Sequence, residues 1–309
     1  MTCFTSAMAA APVESSTLRR RGQIATALAA VAWSTAGVLQ RELSMGTATQ
    51  VAGRAMFALI ALLGYVAVVE RGAVPAAFRS IGRAGLAVGV CMAVASGGFI
   101  VALNHATVAH VLFMQAAAPI LAALLGAVVL SEPIPVRTWL AMAIAAAGVL
   151  VMVGWPSGWS LLGDGVATVM TFAFAIAIVI TRRHRHVSMA PATCLAQLLL
   201  VLVFVPFVRP GQVGARDLGL LVLLGAVQMG IGLALFTIGA RLIPAAEVAL
   251  ITLLEVVLGP LWVWLLLSES VGTATLIGGA VVIAAVAVQI GGELAGTGGR
   301  LRQSLPPPP

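Results

Sequence analysis

Apolar runs long enough to cross a bilayer follow one another along almost the whole chain, at 22–40, 46–69, 84–103, 106–130, 138–154, 161–181, 190–208, 217–240, 244–267 and 271–291. A stretch of about 18 or more apolar residues reads as a membrane span. In hydrocarbon every backbone N–H and C=O must be bonded within the protein, and runs of this length achieve that as helices. The predicted fold is an all-α polytopic membrane protein with ten transmembrane helices. Composition excludes the soluble alternative: 61% of residues are hydrophobic and 9% charged, against about 25% charged in soluble domains. The joins are legible at Asn104-His105 and at SEPIPVR, 131–137, where two prolines disfavour a continuous helix.

A net charge of +7 would point a soluble protein toward nucleic acid, but the placement of the charge points elsewhere. All seventeen basic residues are arginine. With the first helix entering from the cytoplasm, Arg19, Arg20, Arg21, Arg71, Arg79, Arg83, Arg137, Arg182, Arg183, Arg185, Arg241, Arg300 and Arg302, thirteen in all, fall on the inner side. Arg41, Arg209 and Arg216 fall outside, and Arg54 lies within a helix. That asymmetry places both termini in the cytoplasm and favours an even number of spans. The lipid bilayer is the predicted partner, and nucleic acid is not.

The run RRHRH at 182–186 reads as a cytoplasmic stop between helices 6 and 7. Cys3, Cys91 and Cys194 are isolated and give neither a disulfide framework nor metal-ligand spacing. No metal or cofactor is expected. LRRRGQIATALAA, 18–30, resembles the start of a secretory signal, yet nine further spans follow it, so it is read as the first helix. Residues 1–21 and 292–309 are read as cytoplasmic tails, too poor in apolar residues to build a core.

The chain also repeats itself. Ser131-Glu132 and Ser268-Glu269 each follow a long apolar run, 137 residues apart (268 − 131). GQIATALAAVAWSTAGVLQR, 22–41, lies against GDGVATVMTFAFAIAIVITR, 163–182, at an offset of 141 (163 − 22). Two five-helix halves follow, 22–154 and 161–291. Five is odd, so the second half enters the membrane from the opposite side. Inverted repeats of this kind are common in secondary transporters, with substrate sites near the midplane between the halves.

At these residues the chain resembles the EamA-type members of the drug/metabolite transporter superfamily. The resemblance rests on the two repeats, the Gly163-Asp164 opening, Arg54 early in helix 2, and a proline-bearing penultimate helix ending in Ser-Glu in each repeat. It implies export or exchange of metabolites across a bacterial inner membrane. The chain departs from the family pattern at Glu255-Val256, where Glu-Pro is common and where the proline here stands at Pro260.

Glu255 is the residue the membrane tolerates least. A carboxylate within a span costs about 2.5 to 3.5 kcal/mol on insertion scales and marks a functional-site candidate. At helical spacing its face carries Thr252, Gly259 and Trp262. Gln115 aligns with Thr252, and Ala118 with Glu255, so the halves differ at one depth. Pro119 and Pro260 are expected to break their helices and free the carbonyls of Gln115 and Val256.

Arg54 has three readings: a clamp for a substrate carboxylate, a permanent partner of Glu255, or a side chain snorkelling to the interface. Gln197 takes the corresponding place in helix 7. Trp33, on a stripe with Thr26, Gly37 and Gln40, is the one tryptophan near mid-membrane and suits either a substrate pocket or packing. The others suit interfaces: Trp139 inside, Trp155 and Trp159 outside, with Trp262 and Trp264 approaching the outer end. His110 and Glu247 align across the repeats and suit a proton relay, although Glu247, six residues after Arg241, reads more as a local ion pair with it at the cytoplasmic end. Asp164 reads as a structural residue at a helix start.

The predicted substrate-binding set is therefore Trp33, Arg54, Gln115, Gln197, Glu255 and Trp262, with Glu255 the candidate for proton coupling. The expected function is secondary transport of a small amino acid or amphiphilic, drug-like solute by alternating access. A channel or a sensor is the alternative, although neither a ring of filter groups nor a soluble output domain is visible. No hydrolase or metalloprotease motif appears, so no catalytic residue is assigned, and no Walker motif is present to couple ATP. The sequence does not decide between a monomer and a homodimer.

Overall fold

The computed structural model describes residues 11–71, 73–106, 108–154, 160–209, 211, 213–267 and 272–303; within these, the side chains of 11–16, 41, 108–110, 263, 267 and 291–303 lie outside the description. Among the described residues there is no strand, and ten helices are long and apolar enough to span a membrane. They are α1 Thr17–Gln40, α2 Thr47–Val69, α3 Gly82–His105, α4 Val111–Leu130, α5 Val136–Val153, α6 Leu161–Arg183, α7 Ala190–Phe207, α8 Ala215–Leu242, α9 Ala245–Leu266 and α10 Thr273–Ile290. A short helix, Val74–Ser80, lies between α2 and α3 and was not expected; Pro75 near its start supplies a fixed helical φ where no N–H is needed.

Helix packing carries the repeat into three dimensions. In the first set of contacts α3 packs on α6, α2 on α8, and α4 on α6. Their counterparts five helices on are α8 on α1, α7 on α3, and α9 on α1, and all three are present. The pairs α2–α7, α4–α9 and α5–α10 map onto themselves. The molecule therefore has two inverted five-helix repeats about a pseudo-two-fold axis. Small residues make the close approaches, as expected where lipid offers no hydrophobic drive for helix association. A Cβ on Gly148 of α5 would stand 2.8 Å from the Gly278 carbonyl oxygen of α10.

Two interruptions fall at equivalent places. In α4 the helix stops at Gln115 and resumes at Ala118, and in α9 it stops at Thr252 and resumes at Leu254. Leu253 maps onto Ala116 at the 137-residue offset (253 − 137). At both sites the ladder tightens to i→i−3 bonds, Ala117 N to Met114 O at 3.1 Å and Leu253 N to Leu250 O at 3.2 Å. Pro119 sits at the start of the resumed half of α4, as a residue without an N–H should. Pro260 does not break α9: it lies inside the continuous helix Leu254–Leu267, where one missing donor leaves the surrounding ladder in place. A third irregularity is a π-helical stretch in α8, Leu223–Ile231.

Polar contacts tie the ends of the bundle. At the Arg-rich end, where α1 starts, buried Glu247 accepts from Arg19 Nη2 at 2.7 Å and Gln23 Nε2 at 2.6 Å. The expected Glu247–Arg241 pair does not form, because α9 begins against α1. Arg241 turns instead to the α6–α7 connection, its Nε donating to the Arg185 carbonyl at 2.8 Å. Glu132 accepts from Arg182 Nε at 2.8 Å, so this Ser-Glu pair fastens the end of α4 to α6; Ser131 before it takes the left-handed φ of 54° that ends the helix. At the opposite end Arg216 pairs with Glu42, and Ser44 Oγ donates to Asp217 Oδ2 at 3.0 Å. Asp164 Oδ2 accepts from the Ser160 N–H at 2.7 Å at the start of α6. Cys3, Trp155, Trp159, Ser268-Glu269 and the His110 side chain lie outside the described residues.

Candidate functional site

The two helix interruptions put polar side chains at the junction of the repeats. Gln115 is the last residue before the break in α4, and Glu255 lies in the first turn after the break in α9. Because α4 and α9 pack on each other, Gln115 Nε2 donates to Glu255 Oε1. Sequence register had set Gln115 against Thr252, but antiparallel packing about the axis carries it to Glu255. Both side chains are half-buried, and Gln115 Oε1 has no partner among the described residues. The break also explains how the carboxylate is tolerated. The helix resumes at Leu254, so Glu255 lies in a first turn, where the helix dipole favours negative charge.

Aromatic side chains stand on the neighbouring helices. Trp262, two turns beyond Glu255 on α9, donates its indole N–H to Ser34 Oγ of α1 at 2.8 Å, and Ser34 Oγ in turn donates to the Val31 carbonyl at 2.7 Å. Trp33, next to Ser34, meets Phe174 of α6 edge-on with centroids 6.1 Å apart, and Phe236 of α8 at 5.3 Å; the two phenylalanines stack at 5.4 Å. The Trp33 indole N–H is buried without a partner among the described residues. This arrangement can hold an amphiphile: one carboxylate and one amide for its polar end, and aromatic faces for its apolar or cationic part.

Arg54 and Gln197 are not brought into this group. They lie on α2 and α7, which pack on each other, on α3 and on α8. Arg54 Nη2 donates to Ser96 Oγ at 2.8 Å and to the Ser96 carbonyl at 3.0 Å. Among the described residues no ion pair joins it to Glu255, and at 3% exposure it does not snorkel to an interface. Its distance from the aromatic group follows from α8: the Arg54 carbonyl faces Gly225, whereas Trp33 faces Gly232. Gln197 is fully buried with neither side-chain atom bonded among the described residues.

Sequence reasoning missed Ser34, Phe174, Phe236, Ser96 and Gln228. Phe174 carried a signal, since it is the counterpart of Trp33 at the 141-residue offset (33 + 141). Ser96 and Gln228 carried none, because only helix packing brings them to Arg54 and to the Trp33 carbonyl. Among the described residues no cluster of His, Cys, Asp or Glu could hold a metal ion.

Comparison with known proteins converges with this architecture. The EamA-like transporter family matches the chain twice, over 20–154 and 161–290. No curated protein matches the chain. A solved crystal structure shares the fold with a TM-score of 0.74 at 20% identity, covering 87% of this chain and 96% of that one. Two matches of one family, laid over the two halves that pack as an inverted pair, show that this chain belongs to the EamA-like transporter family.

Proposed function

We propose that the chain is a secondary transporter for a small amphiphilic or amino-acid-like metabolite, working by alternating access of its two repeats around Glu255. The supporting observation is the bond from Gln115 to Glu255 across two helices interrupted at equivalent positions. Discontinuous helices at the midplane of an inverted repeat are where transporters place their substrates. Trp33, Gln115, Glu255 and Trp262 form the substrate contact in this reading, with Ser34 positioning Trp262. Glu255 also serves as the proton-coupling group, since among the described residues it is the one carboxylate at the junction. Arg54 and Gln197 retain unused hydrogen-bonding capacity outside that centre and act on the substrate path rather than on the bound polar group. The protein sits in a bacterial inner membrane with both termini cytoplasmic, transports in the export or exchange direction, and makes and breaks no covalent bond. Counterflow in proteoliposomes against a panel of metabolites tests the reading: internal substrate should accelerate uptake of labelled substrate. Flux without counterflow for any solute would favour a channel.

A further inference from the structure

At the Arg-rich end, α2, α8 and the connection from α6 to α7 enclose a cavity of about 410 Å³. Tyr65, Glu70, His186, Ser188, Thr237 and Arg241 stand in its wall. The helices α2 and α8 run in the same direction, so their last turns lie together and bring Glu70 and Arg241 to one space. Glu70 is an expensive residue there. It caps the C-terminus of α2, where helix carbonyls disfavour negative charge, and its carboxylate has no hydrogen-bond or ion-pair partner among the described residues. Arg241 commits its Nε to the Arg185 carbonyl, and among the described residues its terminal nitrogens have no bonded partner. The two opposite charges share a wall without pairing with each other. The Tyr65 side chain stands in the same wall as both charges.

We propose that this cavity is a second binding site, for a small zwitterion whose ammonium group meets Glu70 and Tyr65 and whose carboxylate meets Arg241. A guanidinium suits a carboxylate by its planar fork, and a carboxylate beside an aromatic ring suits an ammonium group. Apolar recognition alone does not account for this wall. The larger cavity, about 550 Å³ between α3, α6 and α7, is by contrast lined by aliphatic side chains, glycines and Phe204. The site is separate from the Glu255 centre, and its existence does not depend on the transport reading.

The chain contains one tyrosine, so 3-fluorotyrosine incorporation gives a single ¹⁹F resonance located in this cavity. The full chain in detergent would be titrated with glycine, β-alanine and γ-aminobutyrate, and separately with the amine and the carboxylate matched to each. At least one zwitterion should shift the resonance saturably, with a dissociation constant at least tenfold below those of both its matched halves. Glu70→Gln should abolish that advantage, and Glu255→Gln should preserve it. The proposal is overturned if no zwitterion outbinds both halves, if the advantage survives Glu70→Gln, or if it vanishes with Glu255→Gln. The wild-type titrations decide the matter alone should Glu70→Gln fail to fold.

Discussion

Glu255→Gln keeps the size of the side chain and most of its hydrogen-bonding shape while removing its charge. A hydrogen bond to a charged group contributes about 1.5–3 kcal/mol, and one between neutral groups about 0.5–1.5 kcal/mol. Each bond made to position 255, whether by Gln115 or by a substrate donor, should therefore weaken by about 1–1.5 kcal/mol, roughly a tenfold change in an equilibrium constant. Stability should not fall by the same amount, because the amide also removes the cost of a carboxylate within the membrane. The assay is transport in proteoliposomes, with a proton gradient and, separately, as exchange between identical substrates on the two sides. If Glu255 carries the coupling proton, the variant loses gradient-driven transport and keeps exchange. If it only contacts substrate, both weaken together, by about tenfold in apparent affinity. Full gradient-driven transport by Glu255→Gln would refute both roles and leave the Gln115 bond as a packing contact.

Four further outcomes follow from the geometry. Trp262→Phe and Ser34→Ala each delete the 2.8 Å indole bond, so each should weaken substrate binding by about 1 kcal/mol, and the double variant should lose little more; equal and additive losses in a binding assay would separate the two residues. Gly225→Ala would set a Cβ 2.5 Å from the Arg54 carbonyl oxygen and from Phe57 Cβ, so unfolding in detergent should show a loss of about 1–3 kcal/mol. Glu247→Ala removes the acceptor of the buried Gln23 amide at the start of α1, and thermal unfolding should register a loss of about 1–3 kcal/mol. Single cysteines replacing Val213, Ser80 and His184 in a cysteine-free chain should divide, with 213 labelled by impermeant maleimide from outside and 80 and 184 protected; the reverse pattern would invert the orientation.

Much of the architecture was legible because membrane insertion constrains sequence so tightly. Ten apolar runs, the arginine asymmetry and the two offsets sufficed for the helix number and the inverted repeat, since backbone in hydrocarbon has few alternatives to a helix. Glu255 stood out for the same reason: a carboxylate in an apolar run has a cost that composition alone displays. What the sequence alone left undetermined was partnership. Gln115 was visible as a polar residue before a proline, but its bond to Glu255 exists because α4 and α9 cross at their breaks. Glu247 looked local to Arg241, yet its partners stand at the other end of the chain. Arg54 had three readings, and packing against α3 gave it to Ser96. Pro260 carried a local rule for breaking a helix, whereas the break came seven residues earlier, at the position that matches α4. Helix identity is a property of about twenty neighbouring residues and their solvent, so the sequence by itself determined it. Side-chain pairing depends on which faces meet across more than a hundred residues, and only the tertiary structure decided that.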